Sequence, residues 1–352
     1  MIWLTWRQFR GSAVMMAAVL AILTAALALT GPGLASRYSS GIADCTPDNT
    51  CDQFFDRFFD EYQTPFMAVI LVVLLLPALV GLFWGAPLIT RELEAGTHLL
   101  VWNQSVTRGR WLTVKLGLTG LTAVAAACLC GLAVTWWSDP LDKSAAPDWA
   151  LMTPLVFSAR GIAPIGYAAF AFVLGVTVGM LVRRTLPAMA LTLAVFAAIQ
   201  LAMPLLVRPH LIPPVTSTFE LGRVNVDNFG ISRDANGGGP AHLALDSAVP
   251  GHAGAWVLSS NLVDPSGRTI AGSGEEADLQ VSTTSGPCAP SAAAGGGDAC
   301  MAEINRLGYR QQATYQPLER FWPFQWIEIG IYTLLTLGLT WLSFWWIRRR
   351  LA

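Results

Sequence analysis

The chain has 352 residues and a formal net charge of -1; 13% of its residues are charged and 53% are apolar. Because soluble domains carry about 25% charged residues, this composition excludes an ordinary soluble protein. The lipid bilayer is the expected partner of such a chain, and nucleic acid is not.

Six segments contain the roughly 20 mostly apolar residues that a helix needs to cross a bilayer. They are residues 13–31, 64–87, 112–137, 161–182, 186–207 and 324–347. A secretory signal is an alternative for the first segment, since Arg7 and Arg10 precede it. Its apolar core exceeds the ~7 to 15 residues of such signals, so we favour a retained anchor. The prediction is an all-α polytopic membrane protein with six transmembrane helices.

Basic residues indicate the orientation, because short loops rich in Lys and Arg stay in the cytoplasm. With the amino terminus inside, the basic residues of the short outer segments are Arg37, Arg57, Lys143 and Arg160. Those of the inner segments are Arg7, Arg10, Arg91, Arg108, Arg110, Lys115, Arg183, Arg184, Arg348, Arg349 and Arg350. We therefore predict a multi-pass plasma-membrane protein with both termini in the cytoplasm.

An amphipathic stretch, CDQFFDRFFDEYQ (51–63), follows the first span and has aromatic residues on one helical face and aspartates on the other. This pattern predicts a helix that lies flat in the outer interface. Such a helix forms either a lip where an apolar substrate leaves or a packed outer cap.

Four of the six cysteines fall in the predicted outer loops, where an oxidising exterior permits disulfides. Cys45 and Cys51 lie in the first of these loops, and Cys288 and Cys300 lie in the last. We predict one local bridge in each loop; the alternative is four free or metal-binding thiols. No metal is expected, because the chain lacks the CxxC or Cys/His spacing of a zinc site.

Residues 208–320 are polar and rich in Gly, Ser and Pro, which predicts a small, partly β extracellular domain between spans 5 and 6. The domain plan is 1–207 for spans 1 to 5, 208–320 for the extracellular domain and 321–352 for span 6 with its basic tail. Residues 256–270 are typical of two strands around an Asp-Pro-Ser-Gly turn. His210, His242 and His252 lack ligand spacing and are interpreted as solvated loop residues.

Polar residues inside spans are functional candidates, because an ionisable group in lipid is costly. Glu328 lies near the outer end of span 6, and Gln200 and Tyr167 lie in spans 5 and 4. Gln200 and Tyr167 suit a pathway for an amphiphilic or lipid-like cargo, although polar contacts between helices explain them equally well. Glu328 is either a functional group or an acid that snorkels to the nearby interface or accepts a hydrogen bond there. Close helix approach is predicted at two small-residue pairs, Gly81/Gly85 and Gly175/Gly179.

A charged segment, residues 88–111, separates spans 2 and 3. Charges at the bilayer centre cost about 2.5 to 3.5 kcal/mol each, whereas apolar residues return only about 0.3 to 0.6. The segment must therefore leave the bilayer. Glu92 and Glu94 predict a short cytoplasmic helix that begins near Thr90, with both acids in its first turn and facing the cytoplasm.

Ser105 or Thr107 would then cap a helix that leads into span 3. Two interpretations of the segment remain open on these grounds. It is either a rigid coupling element between two membrane helices or an ordinary loop with interfacial charges.

A family resemblance bears on this choice. The sequence TRELEAGTHLLVWNQSVTRGRWLTVK (90–115) resembles the cytoplasmic segment between spans 2 and 3 of the ABC type-two permease family, the membrane subunits of ATP-binding-cassette exporters. The residues that match its E-x-G-T, S-x-x-R and lysine elements are Glu94, Gly96, Thr97, Ser105, Arg108 and Lys115. The six-span plan and the amino-terminal WLTWRQFR are also similar, so the resemblance covers the membrane part.

TYQPLERFWPFQWIE (314–328) resembles a pattern of actinobacterial members, which also carry a large outer loop before the last span. The size of this loop departs from other members. It puts in doubt the outer re-entrant helices that those members have between spans 5 and 6.

The resemblance implies an exporter with two permease subunits, as a homodimer or a heterodimer, and two copies of an ABC ATPase. It implies that the segment 88–111 docks on the ATPase through Arg91, Glu92, Glu94, Gly96, Thr97 and Arg108. An interfacial elbow is implied at Trp3, Trp6 and Arg7. The chain contains no GxxxxGK[ST] phosphate loop, so ATP and Mg would be used by the partner ATPase and no cofactor is expected here.

A membrane-embedded lipid-modifying enzyme and a ligand sensor are the alternatives. An enzyme needs convergent nucleophile, base and oxyanion groups, and neither GxSxG nor HExxH occurs, so no catalytic residue is predicted. A sensor would bind a ligand in the outer domain and signal through the segment 88–111. Export rather than import follows from the resemblance alone.

Overall fold

The computed structural model describes residues 2–45, 50–96, 107–144, 147–231, 239–289 and 298–349. Six helices in these ranges are long and apolar enough to cross a membrane, which confirms the predicted number of spans. Spans 1 to 6 are Ala13–Asp44, Gln53–Glu94, Arg108–Ser144, Ala163–Val182, Thr185–Leu211 and Leu318–Arg349.

Several spans belong to longer or composite helices. The helical stretches are Ile2–Asp44 for span 1, Thr50–Val80 and Ala86–Glu94 for span 2, Arg108–Ser144 for span 3, Ala163–Val182 for span 4, Thr185–Ala202 and Arg208–Leu211 for span 5, and Phe321–Arg349 for span 6. π-Helical turns at Gly81–Gly85 and Met203–Val207 join the two parts of spans 2 and 5. A short helix, Pro154–Ser158, precedes span 4.

One compact unit comprises Met1–Ser144, Leu155–Arg208 and Trp322–Ala352, and so holds almost all of the six spans. Span 4 is its central helix: 78% of its most apolar window is buried, against 6% for span 1. A core cluster around span 4 includes Phe170, Leu174, Phe196 and Tyr332. The chain therefore packs its helices around span 4 and leaves much of spans 1, 5 and 6 uncovered.

Glycines allow spans 2 and 4 to approach closely. A Cβ atom added to Gly85 would lie 2.4 Å from the carbonyl oxygen of Phe172, and one added to Gly175 would lie 2.4 Å from that of Gly81. A Cβ on Gly179 would come within 2.8 Å of the carbonyl oxygen of Ala86. These distances confirm the predicted close approach and show that the two small-residue pairs pack on each other.

The amphipathic stretch 51–63 is not a separate interfacial helix, so that prediction is wrong. A single helix, Thr50–Val80, contains this stretch and runs on into span 2. Its aromatic face packs on the end of span 1, where the ring of Tyr38 lies 5.6 Å from the ring of Phe58. Because the aromatic side chains find a partner helix, nothing requires them to enter an interface.

A second compact unit comprises Ala145–Pro154 and Pro209–Phe321 and contains the β-sheets. The strands are β1 Val215–Phe219, β2 Val226–Ile231, β3 Ala241–Leu245, β4 Trp256–Val263, β5 Thr269–Gly272, β6 Glu276–Leu279 and β7 Arg310–Gln316. They form an antiparallel four-stranded sheet in the order β1-β7-β4-β5 and an antiparallel three-stranded sheet in the order β2-β3-β6. We call this unit the β domain.

The predicted hairpin in the β domain is confirmed, since β4 pairs with β5 across a turn. The backbone N–H of Gly267 donates to the carbonyl oxygen of Asp264 at 2.9 Å. Gly267 adopts a φ of 83°, a conformation that favours glycine. The Ser266 hydroxyl and the Arg268 backbone N–H donate to the Asp264 carboxylate and lower its pKa to about 2.

Both predicted disulfides are present, as Cys45–Cys51 and Cys288–Cys300. The second bridge is buried in the core of the β domain, where helix Asp298–Leu307 contributes Ile304. The bridge therefore fastens this helix to the rest of the domain core.

The interpretation of His242 as a loop residue is wrong. It lies in β3, and its Nδ1 atom is 2.6 Å from the carboxylate of Asp278 in β6. His252 lies outside the strands and packs against Tyr315, with 4.8 Å between ring centroids. His210 lies in the helix Arg208–Leu211, so it is not a loop residue either.

Candidate functional site

The helix of span 2 runs through Thr90 and ends at Glu94. The prediction that a new helix begins near Thr90 is therefore wrong, and the two acids lie in the last turn of a helix rather than in its first. Gly96 follows with a φ of 67°, and its N–H donates to the carbonyl oxygen of Leu93 at 3.3 Å. A glycine in this left-handed conformation just past the last turn is a common helix C-terminus.

Glu92 is buried and bound to span 3. Its Oε1 atom lies 2.5 Å from the Nζ atom of Lys115, and the two side chains are 11% and 4% exposed. The Lys115 ammonium also donates to the carbonyl oxygen of Leu88 at 3.4 Å and lies 4.8 Å from the ring centroid of Trp111. The prediction that Glu92 faces the cytoplasm is therefore wrong.

Glu94 binds the beginning of span 5. Its carboxylate accepts a hydrogen bond from the backbone N–H of Thr185 at 2.8 Å and another from the Thr185 hydroxyl at 2.5 Å. The first N–H groups of a helix have no partner within the helix, and a cap of this kind contributes about 0.5 to 2 kcal/mol. The carboxylate at the end of span 2 thus caps the start of span 5.

Glu92, Glu94, Lys115 and Thr185, which we call the terminal node, join the ends of three spans. Glu92 connects span 2 to span 3, and Glu94 connects span 2 to span 5. Glu94 and Lys115 lie on either side of the segment 97–106 in the sequence, and that segment lies outside the described residues.

Other residues of the predicted coupling set lie around the node. Arg91 is exposed at the end of span 2, and Arg108 is the first helical residue of span 3. Thr107 precedes it and accepts a hydrogen bond from the backbone N–H of Arg110 at 3.3 Å, which confirms the predicted cap. Thr97 lies outside the described residues.

The predicted interfacial elbow lies at the start of helix Ile2–Asp44. The side chains of Trp3, Trp6 and Arg7 fall outside the described part of the structure. Their role stays a prediction.

A second polar cluster lies at the opposite end of span 5. Arg208 donates to the carboxylate of Glu328 through both Nε and Nη2, each at 3.0 Å, and both side chains are 1% exposed. The Tyr167 hydroxyl also donates to Glu328, and Nη2 of Arg208 donates to the Ser158 hydroxyl at 2.9 Å. The guanidinium lies 4.2 Å from the ring centroid of Phe157.

This intramembrane cluster, formed by Ser158, Tyr167, Arg208 and Glu328, joins spans 4, 5 and 6. Two of the three polar residues that the sequence singled out, Tyr167 and Glu328, therefore meet. The third, Gln200, lies beside it, because Tyr332 donates to its Oε1 atom at 3.3 Å. A fork-like pair of hydrogen bonds between a guanidinium and a carboxylate fixes the relative position of spans 5 and 6.

Sequence reasoning missed three residues of these two sites. Arg208 borders a polar segment and was assigned to the extracellular domain, and nothing in the sequence singled out Ser158. Thr185 carries no charge, and its sequence context reveals no partner. A basic residue within the last turn of an apolar span is a signal for Arg208, since such a residue needs a buried acid such as Glu328.

Comparison with known proteins adds the family. The sequence profile described as "ABC-2 membrane transporter related" matches residues 17–208, which is more than half of the chain. The chain belongs to the ABC-2 membrane transporter related family. No curated protein and no solved structure matches the chain.

Membership of this family confirms the class of membrane protein that the sequence resembles. The chain is a multi-pass membrane protein and a membrane subunit of the ABC transporter class, which works with an ABC ATPase. The matched region extends from span 1 to Arg208 and so includes the whole terminal node.

Proposed function

We propose that this chain is the permease subunit of an ABC exporter that moves an amphiphilic or hydrophobic compound out of the cell. ATP hydrolysis in a separate ATPase subunit drives this movement. The observation that carries the proposal is the family match over residues 17–208 in a chain without a phosphate loop of its own. The energy source must then lie in a partner.

The segment 88–111 is the docking element in this proposal. The two ends of the segment support this role. The span 2 helix stops at Glu94, and the span 3 helix starts at Arg108. Arg91 is exposed next to the segment, whereas the carboxylate of Glu94 is bound to Thr185 and that of Glu92 to Lys115. Arg91 is therefore the best candidate for a direct contact with the ATPase.

The complete transporter contains two permease subunits and two ATPase subunits, as in the family that the sequence resembles. Both termini and the terminal node lie on the cytoplasmic side, which places the intramembrane cluster near the outer face. The cargo is amphiphilic in this proposal, because the spans present long apolar surfaces and only a few polar groups, among them the partly exposed Gln200.

A pair of charge reversals on one helix tests the docking element. Arg91→Glu changes the exposed charge at one end of the span 2 helix, and Arg57→Glu makes the same change at an exposed position near the other end. Each variant is expressed with an affinity tag in the native host and purified in mild detergent. The measured quantity is the amount of ATPase that co-purifies with each.

We expect the Arg91→Glu variant to lose most of the ATPase, because the charge reversal turns an attraction at the interface into a repulsion. The Arg57→Glu variant should retain it. Undiminished co-purification with Arg91→Glu, or equal losses in both variants, would contradict a docking role for this end of span 2.

A further inference from the structure

The terminal node directs the two acids of the coupling segment toward the membrane helices. Glu92 is occupied by Lys115 of span 3, and both oxygens of Glu94 are occupied by Thr185 of span 5. Glu92 is buried, and the exposed carboxylate of Glu94 is held in place by its two hydrogen bonds to Thr185. The geometry suggests that these acids transmit movement within the subunit.

Span 5 is tied at both of its ends. Thr185, its first residue, binds Glu94, and Arg208, in its last turn, binds Glu328. Arg208 follows Thr185 by 23 positions, and at a rise of about 1.5 Å per residue the span connects points about 35 Å apart. A shift at the node end therefore reaches the intramembrane cluster through one helix.

The turn before span 5 supports a mechanical role for its first residue. Arg183 adopts a φ of 58°, a left-handed backbone conformation that residues other than Gly rarely adopt. Spans 4 and 5 are thus joined by a two-residue turn, Arg183 and Arg184, that leaves little slack. The Glu94 cap holds the helix that follows this turn in one orientation.

We propose that Glu94 is a positioning residue that couples the end of span 2 to span 5, so that displacement of the coupling segment moves span 5 and, through Arg208, the intramembrane cluster. This inference rests on the proposed function, since the displacement originates in the ATPase. Span 3 follows through the Glu92–Lys115 pair and borders the coupling segment itself. Span 5 is not adjacent to that segment in the sequence; it packs on the helix Ala86–Glu94, and the Glu94 cap fixes its first turn to the end of that helix.

The difference between spans 3 and 5 gives a sharp test in the complete transporter. A fluorescent probe is attached to Thr113→Cys on span 3 or to Leu186→Cys on span 5, two exposed positions. The free thiols of Cys128 and Cys130 are first replaced by alanine. The complex with its ATPase is placed in lipid nanodiscs, and the change in probe fluorescence on addition of ATP and vanadate is recorded.

In the otherwise unchanged chain both probes should respond. In Glu94→Ala we expect the response at position 186 to fall about fivefold or more, since allosteric coupling of this kind typically changes an equilibrium by about 5 to 150-fold. The response at position 113 and the rate of ATP hydrolysis should stay within about twofold of the starting values, well below that range. Glu94→Gln keeps an acceptor oxygen and should preserve both responses.

A merely structural role for Glu94 would reduce both probe responses together, and a docking role would release the ATPase; either result would overturn the inference. So would an unchanged response at position 186. If Glu94→Ala does not fold, Thr185→Ala, which removes only the hydroxyl donor, should still lower the response at position 186 selectively. Absence of any ATPase from the unaltered complex would instead refute the proposed function.

Discussion

At the scale of single residues, the informative feature is the pairing of buried charges within the part of the chain that the structure describes. Arg208 with Glu328 and Lys115 with Glu92 each join two spans through groups that are almost inaccessible. The sequence identifies Glu328 and Tyr167 as candidates because they interrupt apolar segments. It does not reveal Arg208 as their partner, because the pair is separated by 120 positions and forms only when the helices pack.

The stability that Arg208 and Glu328 contribute should depend on the presence of both residues. Removing one partner from a buried ion pair leaves an uncompensated charge and costs about 3 to 5 kcal/mol, whereas replacing both by apolar residues is often nearly neutral. We expect Arg208→Leu and Glu328→Leu each to lower the thermal stability of the detergent-solubilised protein strongly. The double variant should recover much of that loss.

Thermal unfolding followed by size-exclusion chromatography measures the four proteins of this cycle side by side. Losses that simply add in the double variant would contradict the coupling.

At the scale of elements, the existence of the six spans was predictable and their ends were not. The charges of residues 90–94 suggested that a helix begins there, because acids favour the first turn of a helix. The helix instead continues to Glu94, since no glycine or proline interrupts it between Pro87 and Gly96. Tertiary partners, Lys115 and Thr185, stabilise acids at a helix end where they are ordinarily unfavourable.

The amphipathic stretch 51–63 shows a similar limit. Its pattern of Phe and Asp fits an interfacial helix and a helix packed on a neighbour equally well. The neighbour, the end of span 1, is fixed by the Cys45–Cys51 bridge, which the sequence did reveal. What the sequence could not supply was the continuous helix that carries the stretch into span 2.

The glycine contact between spans 2 and 4 gives a prediction at this scale. Gly85→Ala places a methyl group 2.4 Å from the carbonyl oxygen of Phe172, so the helices must separate. Gly338→Ala, on span 6, meets no atom within 4 Å and serves as the matched control. We expect Gly85→Ala to lower stability by about 1 to 3 kcal/mol, the usual cost of overpacking.

The Gly338→Ala variant should be neutral or slightly more stable, because alanine favours a helix over glycine. Both variants are compared by thermal unfolding in the same detergent. Equal stability of the two would contradict the close approach of spans 2 and 4.

At the scale of the whole molecule, the distribution of Arg and Lys predicts the orientation in the membrane. The two ends of span 3 allow a direct test, since Arg110 and Lys143 are both exposed and lie at opposite ends of one helix. Each is replaced by cysteine in a chain from which Cys128 and Cys130 have been removed. A membrane-impermeant thiol reagent is then added to intact cells.

We expect Lys143→Cys to react from outside and Arg110→Cys to react only after the cells are permeabilised. The terminal node would then lie in the cytoplasm, where an ATPase can reach it. Reaction of Arg110→Cys in sealed cells would place the node on the wrong side of the membrane for that partner.

The central claim is that this chain works as the membrane part of a transporter whose motor is a separate protein. Purification of the unaltered, tagged chain from its native membranes, followed by identification of the co-purifying proteins and measurement of ATP hydrolysis, tests it most directly. We expect an ABC ATPase in stoichiometric amount and magnesium-dependent ATP hydrolysis that vanadate inhibits. A purified chain that turns over lipid without any ATPase partner would contradict the account and support the alternative of a membrane-embedded enzyme.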